Sequence, residues 1–595
     1  MDQLSLAWHI ISNTDTHLFL TGKAGTGKTT FLRQLKEKLP KRMVVLAPTG
    51  IAAINAHGTT IHSFFQFGFG PQLPDAKRSS KYKFRKQKIQ LIRSLDLVVI
   101  DEISMVRADI LDAIDATLRQ YRDRTRPFGG VQMLLIGDMQ QLAPVARDEE
   151  WQLLQPYYDT PYFFSSHALE SSDFVTVELQ HVYRQSDPLF LDILNKVRTN
   201  SIDEASLNIL NGRYDPTFVP PKKSGYIRLC THNRQADAIN RKELAALTTP
   251  SITFEAEIEG DFPELSYPTE ESLELKIGAQ VMFVKNDSSM AKEYYNGMIG
   301  EVTAFDSEGQ IHVRCTDNNK IIKVGREKWE NTHYILDNDT KEIFEEIAGT
   351  FEQYPLKTAW AITVHKSQGL TFDRAIIDVQ HSFAHGQTYV ALSRCKSLNG
   401  MVLSNPIPRH AIINDVKVEQ FTNDPRHSEP DEAHLSLMEQ QYLIRTLDDL
   451  FSMLPLRQGI NDMVRFLREY FYSQMPKTYS KWVESGEQLK PLEEVSIRFH
   501  NQYVSIIMRG DDTLLQERLQ KGAAYFEEQL LFIRILLKNT LLNSDSKAIR
   551  KRRDEILSSI NASYKLKFQL LHYVAQNGFL LQDYLKTKAR LSISM

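Results

Sequence analysis

Eight consecutive residues, Gly22-Lys23-Ala24-Gly25-Thr26-Gly27-Lys28-Thr29, place two glycines, a lysine and a hydroxyl at the spacing G-x-x-x-x-G-K-T, with a third glycine, Gly25, between them. Glycine at these points lets the backbone close round a triphosphate, and the loop N–H groups with a following helix N-terminus favour its negative charge. Lys28 is placed to reach the β and γ phosphates, and the Thr29 hydroxyl to hold Mg²⁺. The expected nucleotide contacts are therefore Gly22, Ala24, Gly25, Thr26, Gly27, Lys28, Thr29 and Thr30. An apolar run, Leu18 to Thr21, precedes the string and an amphipathic run, Thr30 to Leu39, follows it, which gives the strand–turn–helix setting that such a loop requires.

Further polar groups fit the same chemistry. Asp101-Glu102 follows Leu97-Val98-Val99-Ile100; the first carboxylate suits the metal, directly or through water, and the second can polarise an attacking water. Gln141, in Gly137-Asp138-Met139-Gln140-Gln141, can feel a γ-phosphate and relay its loss. Phosphoryl transfer is catalysed mainly by positioning and charge stabilisation, so positive charge beyond the lysine is needed. Arg184 and Arg394 are the candidates. Both lie beyond the first set of motifs, so reaching one nucleotide would require a cleft between two lobes that closes on binding and opens after hydrolysis.

The elements that must hold these groups are legible as periodicity. Leu18 to Thr21, Met43 to Ala47, Leu97 to Ile100 and Met133 to Ile136 are short continuous apolar runs, each ending at a polar motif. They read as strands of a parallel sheet buried on both faces, with the ligand beyond their carboxyl ends. Helical stretches, Thr30 to Leu39 and Asp109 to Tyr121, lie between them. A second α/β set follows, with strands at Phe174 to Leu179, Tyr226 to Cys230, Arg374 to Asp378 and Gly400 to Leu403, and helices at Asn233 to Leu247 and from Thr388. Between about 280 and 353, short β-like runs alternate with turns such as Asp306-Ser307-Glu308-Gly309, which suggests an inserted small barrel. The expected division is a first lobe over 1–172, a second over 173–408, a polar linker over 409–433 and a helical region over 434–595. In that last region the periodic runs are Leu435 to Leu454, Ile460 to Tyr472, Leu514 to Leu542 and Ile549 to Leu585.

Composition narrows the class. The chain has 595 residues, enough for about three or four domains, with 42% hydrophobic and 24% charged residues, as in folded proteins. Its three cysteines, Cys230, Cys315 and Cys395, stand far apart, which argues against a zinc site or a disulfide framework and for a reduced, intracellular, cytoplasmic setting. Neither a secretory leader nor a membrane-length apolar run is expected. The net charge of −3 gives no global sign of nucleic acid, but Lys77 to Lys88 (KRSSKYKFRKQK) mixes cations with Tyr82 and Phe84, as phosphate contact and base stacking require. A solvated basic loop is the alternative.

The series GKAGTGKT, APTGIAA, GTTIHSFF, VVIDEISMV, LLIGDMQQLAPV, VYRQ, ITVHKSQGLTFDRAIIDV and YVALSRCK closely resembles the motifs of superfamily 1B DNA helicases, and within that group the Pif (petite integration frequency) family. The stretch from Val177-Glu178-Leu179 through Arg184 to Arg198 is similar to that family's own signature and is not demanded by ATPase chemistry. The match runs from about residue 1 to about 408. It implies two RecA-like lobes, a wedge-like insertion near 65–94, an SH3-like β insertion, ATP with Mg²⁺, 5′-to-3′ movement on single-stranded DNA, and work on duplex junctions, G-quadruplexes or RNA–DNA hybrids in genome maintenance. It also implies nucleotide contact at Gly369, and DNA contacts at Thr49, Gly50, His62, Ser63, Phe64, Pro144, His365, Lys366 and Ser367, with Gln368 coupling DNA to nucleotide. Core packing is the alternative for Phe64 and Phe65. Relatives usually carry an upstream glutamine that reads adenine; Gln3 is the nearby residue, at a looser spacing to Gly22.

Three alternatives frame this reading. A translocase would hydrolyse ATP on DNA without separating strands. A nucleotide-gated binding module would not need Glu102, Gln141, Arg184 and Arg394 together. A regulatory GTPase would carry an N-K-x-D motif, which the sequence lacks. The helical region from 434 resembles nothing placed; structural support is its default role, with partner binding or DNA contact through Lys547 to Arg553 (KAIRKRR) beside it.

Overall fold

The computed structural model describes residues 2–23, 25–39, 41–68, 70–74, 84–181, 187–221, 224–287, 289, 293–307, 309–316, 319–336, 343–379, 385–413 and 415–593. The expectations for Ala24, for Arg184 and for 77–83 of the basic run lie outside these residues.

Continuous apolar runs become strands buried on both faces because a parallel sheet covered by helices offers them no wet side. The first sheet contains β1 (His17–Gly22), β2 (Met43–Ala47), β3 (Thr59–Thr60), β4 (Leu97–Ile100), β5 (Gln132–Ile136) and β6 (Phe174–Leu179), in the order β3-β2-β4-β5-β1-β6. Every pairing is parallel. This corrects the assignment of Phe174 to Leu179 to the second lobe: β6 lies along the whole of β1, from His17 opposite Phe174 to Gly22 opposite Leu179. Periodicity marks a segment as a strand but says nothing of its partner, so the first lobe continues past residue 172.

The second sheet has strand Ala361–Thr363, then Ile227–Cys230, Ala375–Ile377 and Met401–Leu403, again all parallel. Inserted in it is a five-stranded antiparallel sheet ordered Ile321–Val324, Ile311–Cys315, Ile299–Phe305, Gln280–Phe283 and Leu356–Thr358. Alternating residues Val281, Phe283, Val302, Ile311, Val313, Ile322 and Val324 fill its core, and its last strand falls just beyond the expected limit of 353.

A long hairpin, Glu327–Leu336 with Ile343–Gln353, leaves this insertion and reaches the first lobe. Because β3 begins opposite Leu46, the Val45 N–H of β2 has no strand partner on that edge. The Tyr334 hydroxyl supplies one: it accepts from the Val45 N–H at 3.1 Å and donates to the Val45 carbonyl at 3.5 Å. Tyr334 is buried there against Phe64.

The 409–433 stretch is not a bare linker. It forms helix Val416–Thr422, whose Val418 and Phe421 lie one turn apart and enter the first lobe's core. Phe421 stacks on Phe164 with ring centroids 4.4 Å apart. Two apolar residues at helical spacing within a polar segment were too weak a pattern to read.

Beyond it lie helices Glu432–Phe451, Leu454–Tyr470, Pro476–Arg509, Asp512–Gln529, Leu531–Lys538, Lys547–Asn577 and Leu581–Ile593. Their shared core includes Phe451, Phe466, Trp482, Phe526 and Tyr584. The two longest expected runs are each broken: one at Leu530, the other at Gly578, where φ is +76°. The first helix docks on the first lobe through Met438, which packs with Leu6, Ala7 and Ile10, and through His9–Glu439 and Arg445–Asp15 ion pairs. The basic cluster serves this fold: Arg550 donates to the Ser544 carbonyl at 2.7 Å, and Arg552 pairs with Glu469 at 3.1 Å. Among the described residues no helix is long and apolar enough to cross a membrane, and the three cysteines are buried and form no disulfide.

Tyr334→Phe removes the hydroxyl that this hairpin lends to Val45 and strands its buried N–H. We expect a loss of about 1–3 kcal/mol, read as a lowered urea midpoint together with faster hydrogen exchange of the Val45 amide.

Candidate active site

The phosphate loop leaves the end of β1 at Gly22 and enters helix Lys28–Lys38 through Gly27. Gly22 has φ +149°, and a Cβ there would lie 2.7 Å from the Leu179 carbonyl of β6, so the neighbouring strand itself demands glycine. Lys28 donates from Nζ to the Gly22 carbonyl at 2.6 Å and to the Lys23 carbonyl at 3.1 Å, which keeps its ammonium over the loop. Thr26 donates to the same Lys23 carbonyl at 3.0 Å. The Thr29 and Thr30 side chains open to solvent at the helix start, and Gln3 begins the first helix, Gln3–Asn13.

At the end of β4, Asp101 and Glu102 face this lysine. Glu102 takes φ +53°, a left-handed conformation unusual for a residue with a side chain. Burial raises the pKa of both carboxyls and the Asp101 charge adds to the rise at Glu102, while the Glu102 N–H at Asp101 and Lys28 at both work in the opposite direction. The same burial lowers the pKa of Lys28 against the pull of Asp138, Glu102 and Asp101. Such a pair accepts a cation readily. Among the described residues no three His, Cys, Asp or Glu side chains form a metal cluster, so Mg²⁺ would rest on Thr29, Asp101 and phosphate oxygens, its usual mode in such sites.

Beyond β5, Asp138 is buried and bound on both oxygens. Oδ2 accepts from Gln141 Nε2 at 3.1 Å; Oδ1 accepts from the Gln140 N–H at 3.1 Å and from Arg198 at 3.2 Å. Burial opposes its charge, but Arg198 and Lys28 outweigh that and hold its pKa below the ordinary range. Arg198 also donates to Glu178 at 3.2 Å. Neither Asp138 nor Arg198 was singled out from the sequence, although both sit inside quoted motifs.

Second-lobe groups press on these from the other side. Gln368, in VHKSQG, donates to Glu102 Oε2 at 2.8 Å. His385 Nε2 meets the Met139 carbonyl at 2.9 Å. Gly386, at φ +78°, lies so close that a Cβ would stand 1.8 Å from the Gln141 carbonyl. Arg394 is 1% exposed and is held by its own lobe, donating to Val390, Leu370 and Ser393 at 3.0, 3.2 and 2.9 Å, while its charge still favours the Glu102 carboxylate. Gly369 is exposed with φ +80° beside the Gln368 turn.

The DNA-contact expectations divide. Thr49 is exposed and caps helix Gly50–Asn55, accepting from the Ala52 N–H at 3.2 Å. Gly50 meets Ser266 of the second lobe, whose Oγ lies 2.6 Å from the position of a Cβ. Ser63 and Lys366 are exposed, and His62 and His365 half-buried. Phe64, Pro144 and Ser367 are buried. The Phe64 ring is covered by Lys88, whose Nζ lies 3.3 Å from its centroid, so no base can stack there. Ser367 instead donates to the Val364 carbonyl at 2.7 Å.

Any side chain at Gly386 must push the lobes apart at Gln141. Gly386→Ala is expected to lower nucleotide turnover at least about tenfold with unchanged far-ultraviolet circular dichroism, measured by phosphate release.

Comparison with known proteins gives this geometry a family. A family model described as PIF1-like helicase matches residues 4–215, and one described as DNA helicase, middle domain, matches residues 434–595. ATP-dependent DNA helicase Pif1 of Bdellovibrio bacteriovorus is 34% identical over 415 residues, covering 68% of this chain and 88% of the relative. The structure of Bacteroides sp Pif1 in complex with ADP-AlF4 is 42% identical with a TM-score of 0.66, covering 71% of this chain and 96% of that one. Bacteroides Pif1 bound to ssDNA is likewise 42% identical over 71% of this chain and 96% of that one, with a TM-score of 0.52. Two parallel-sheet lobes meeting at a phosphate loop, together with these likenesses, mean that the chain belongs to the Pif1 family of ATP-dependent DNA helicases.

Proposed function

We propose that the chain holds single-stranded DNA across its two α/β lobes, turns ATP hydrolysis into 5′-to-3′ stepping, and separates duplex strands ahead of it. The observation that carries this reading is the 2.8 Å hydrogen bond from Gln368 to Glu102. It joins the carboxylate suited to activating water with the turn that bears His365 and Lys366, so strand contact and hydrolysis share one linkage.

In this reading the loop from Gly22 to Thr30 cradles the triphosphate and Lys28 neutralises its outer phosphates. Thr29 and Asp101 hold Mg²⁺, which when bound supplies charge stabilisation at the phosphates. Glu102 takes the proton of the attacking water, Gln141 senses the γ-phosphate, and Arg184 and Arg394 supply further positive charge. Thr49, Gly50, His62, Ser63, His365 and Lys366 follow the DNA backbone, where small polar groups and a cation suit phosphate contact. G-quadruplexes, RNA–DNA hybrids and stalled forks are the expected substrates beyond plain duplex, with genome maintenance as the setting. Support for a DNA track comes from the relative crystallised with ssDNA. Residues 434–595 brace the first lobe, as their docking at Met438 suggests.

Strand displacement on 5′-tailed and 3′-tailed duplexes tests separation and polarity together. Release from the 5′-tailed substrate alone is expected; DNA-stimulated ATPase without release of either strand would favour the translocase reading. Lys28→Ala should lower ATP turnover at least about a hundredfold with the fold intact, and near-normal turnover would remove the phosphate-loop assignment.

A further inference from the structure

Arg198 ends helix Pro188–Arg198, where a positive charge suits the helix C-terminus. Phe190, Ile193, Leu194 and Val197 of this helix are buried in the second lobe's core, so the helix travels with that lobe. Its last side chain does the opposite and enters the first lobe. The guanidinium is 10% exposed and donates to Asp138 and to Glu178, each at 3.2 Å. Its Nε is buried and has no hydrogen-bond partner among the described residues. Asp138 in turn accepts from Gln141 Nε2 at 3.1 Å.

From this chain of contacts we infer that Arg198 is a positioning residue for ATP hydrolysis: it orients the Gln141 amide through Asp138, and does so only while the second lobe is seated. The inference rests on the reading of Gln141 at the γ-phosphate. A carboxylate can fix an amide only as firmly as it is fixed itself, and Asp138 is fixed at Oδ1 by both the Gln140 N–H and Arg198, which leaves Oδ2 to Gln141. When the second lobe moves away, the guanidinium leaves with its helix. Asp138 then keeps Lys28 as its nearby cation and is drawn toward it, and the amide of Gln141 turns with the carboxylate. The unpartnered Nε marks an arginine whose donors are not saturated by its present partners, as befits a contact that is made and broken.

The test is a double-mutant cycle in the full chain, with kcat and KM for ATP measured at saturating single-stranded DNA. Arg198→Ala is expected to lower kcat at least about tenfold with KM within about threefold, and Arg198→Lys to recover part of the loss. In a Gln141→Ala background, Arg198→Ala should cost less than about twofold more. A kcat for Arg198→Ala within about twofold of the parent, or an equal loss in both backgrounds, would overturn the inference and leave an ion pair that only holds the fold. Asp138→Asn, isosteric and uncharged, gives the same reading if Arg198→Ala does not fold. Parental turnover by Gln141→Ala would instead withdraw the γ-phosphate role of Gln141; full loss there with an active Arg198→Ala overturns this inference alone.

Discussion

The site depends on a balance of buried charge at the carboxyl edge of the first sheet. Asp101, Glu102 and Asp138 gather round one phosphate-loop lysine, and carboxylates in a low-dielectric pocket need compensation. The first lobe does not supply enough of it. Arg198 and the amide of Gln368 arrive from the second lobe, so electrostatics helps draw the lobes together at the place where a nucleotide would bring its own negative charge and a metal. The pocket is thus poised between two ways of meeting the same demand.

Around that balance lie further contacts between the lobes. A hydrogen bond from Gln368, the meeting of His385 with a main-chain carbonyl, and the Tyr334 hydroxyl at Val45 each contribute on the order of 1 kcal/mol. Distributed in this way, the seam can part stepwise. The helical region from residue 432 adds to the first lobe instead, through Met438 and Arg445, and enlarges one jaw.

Much of this was legible in the chain, for identifiable reasons. The phosphate loop and Asp101-Glu102 were readable because a buried strand followed by a polar turn has few other meanings. Strand Phe174–Leu179 was recognised as a strand but given to the wrong sheet, since apolar runs do not name their neighbours. Phe64 looked available for stacking because its covering groups, Lys88 and Tyr334, come from a distant helix and from a hairpin far along the chain. Helix Pro476–Arg509 lies in the region expected to be helical and carries Gly486 and Pro491 within its length. Arg198 stood in a recognised signature, yet only its placement against Asp138 gives it a task.

Gly386 has a consequence for how this seam can vary. The closest approach of the lobes at Gln141 is between two stretches of main chain, with no side chain interposed. The spacing between the lobes is therefore written in backbone atoms, which every sequence shares. Residues around it are free to drift in size or charge, and so to retune the speed of the motor, while the gap across which it works stays the same.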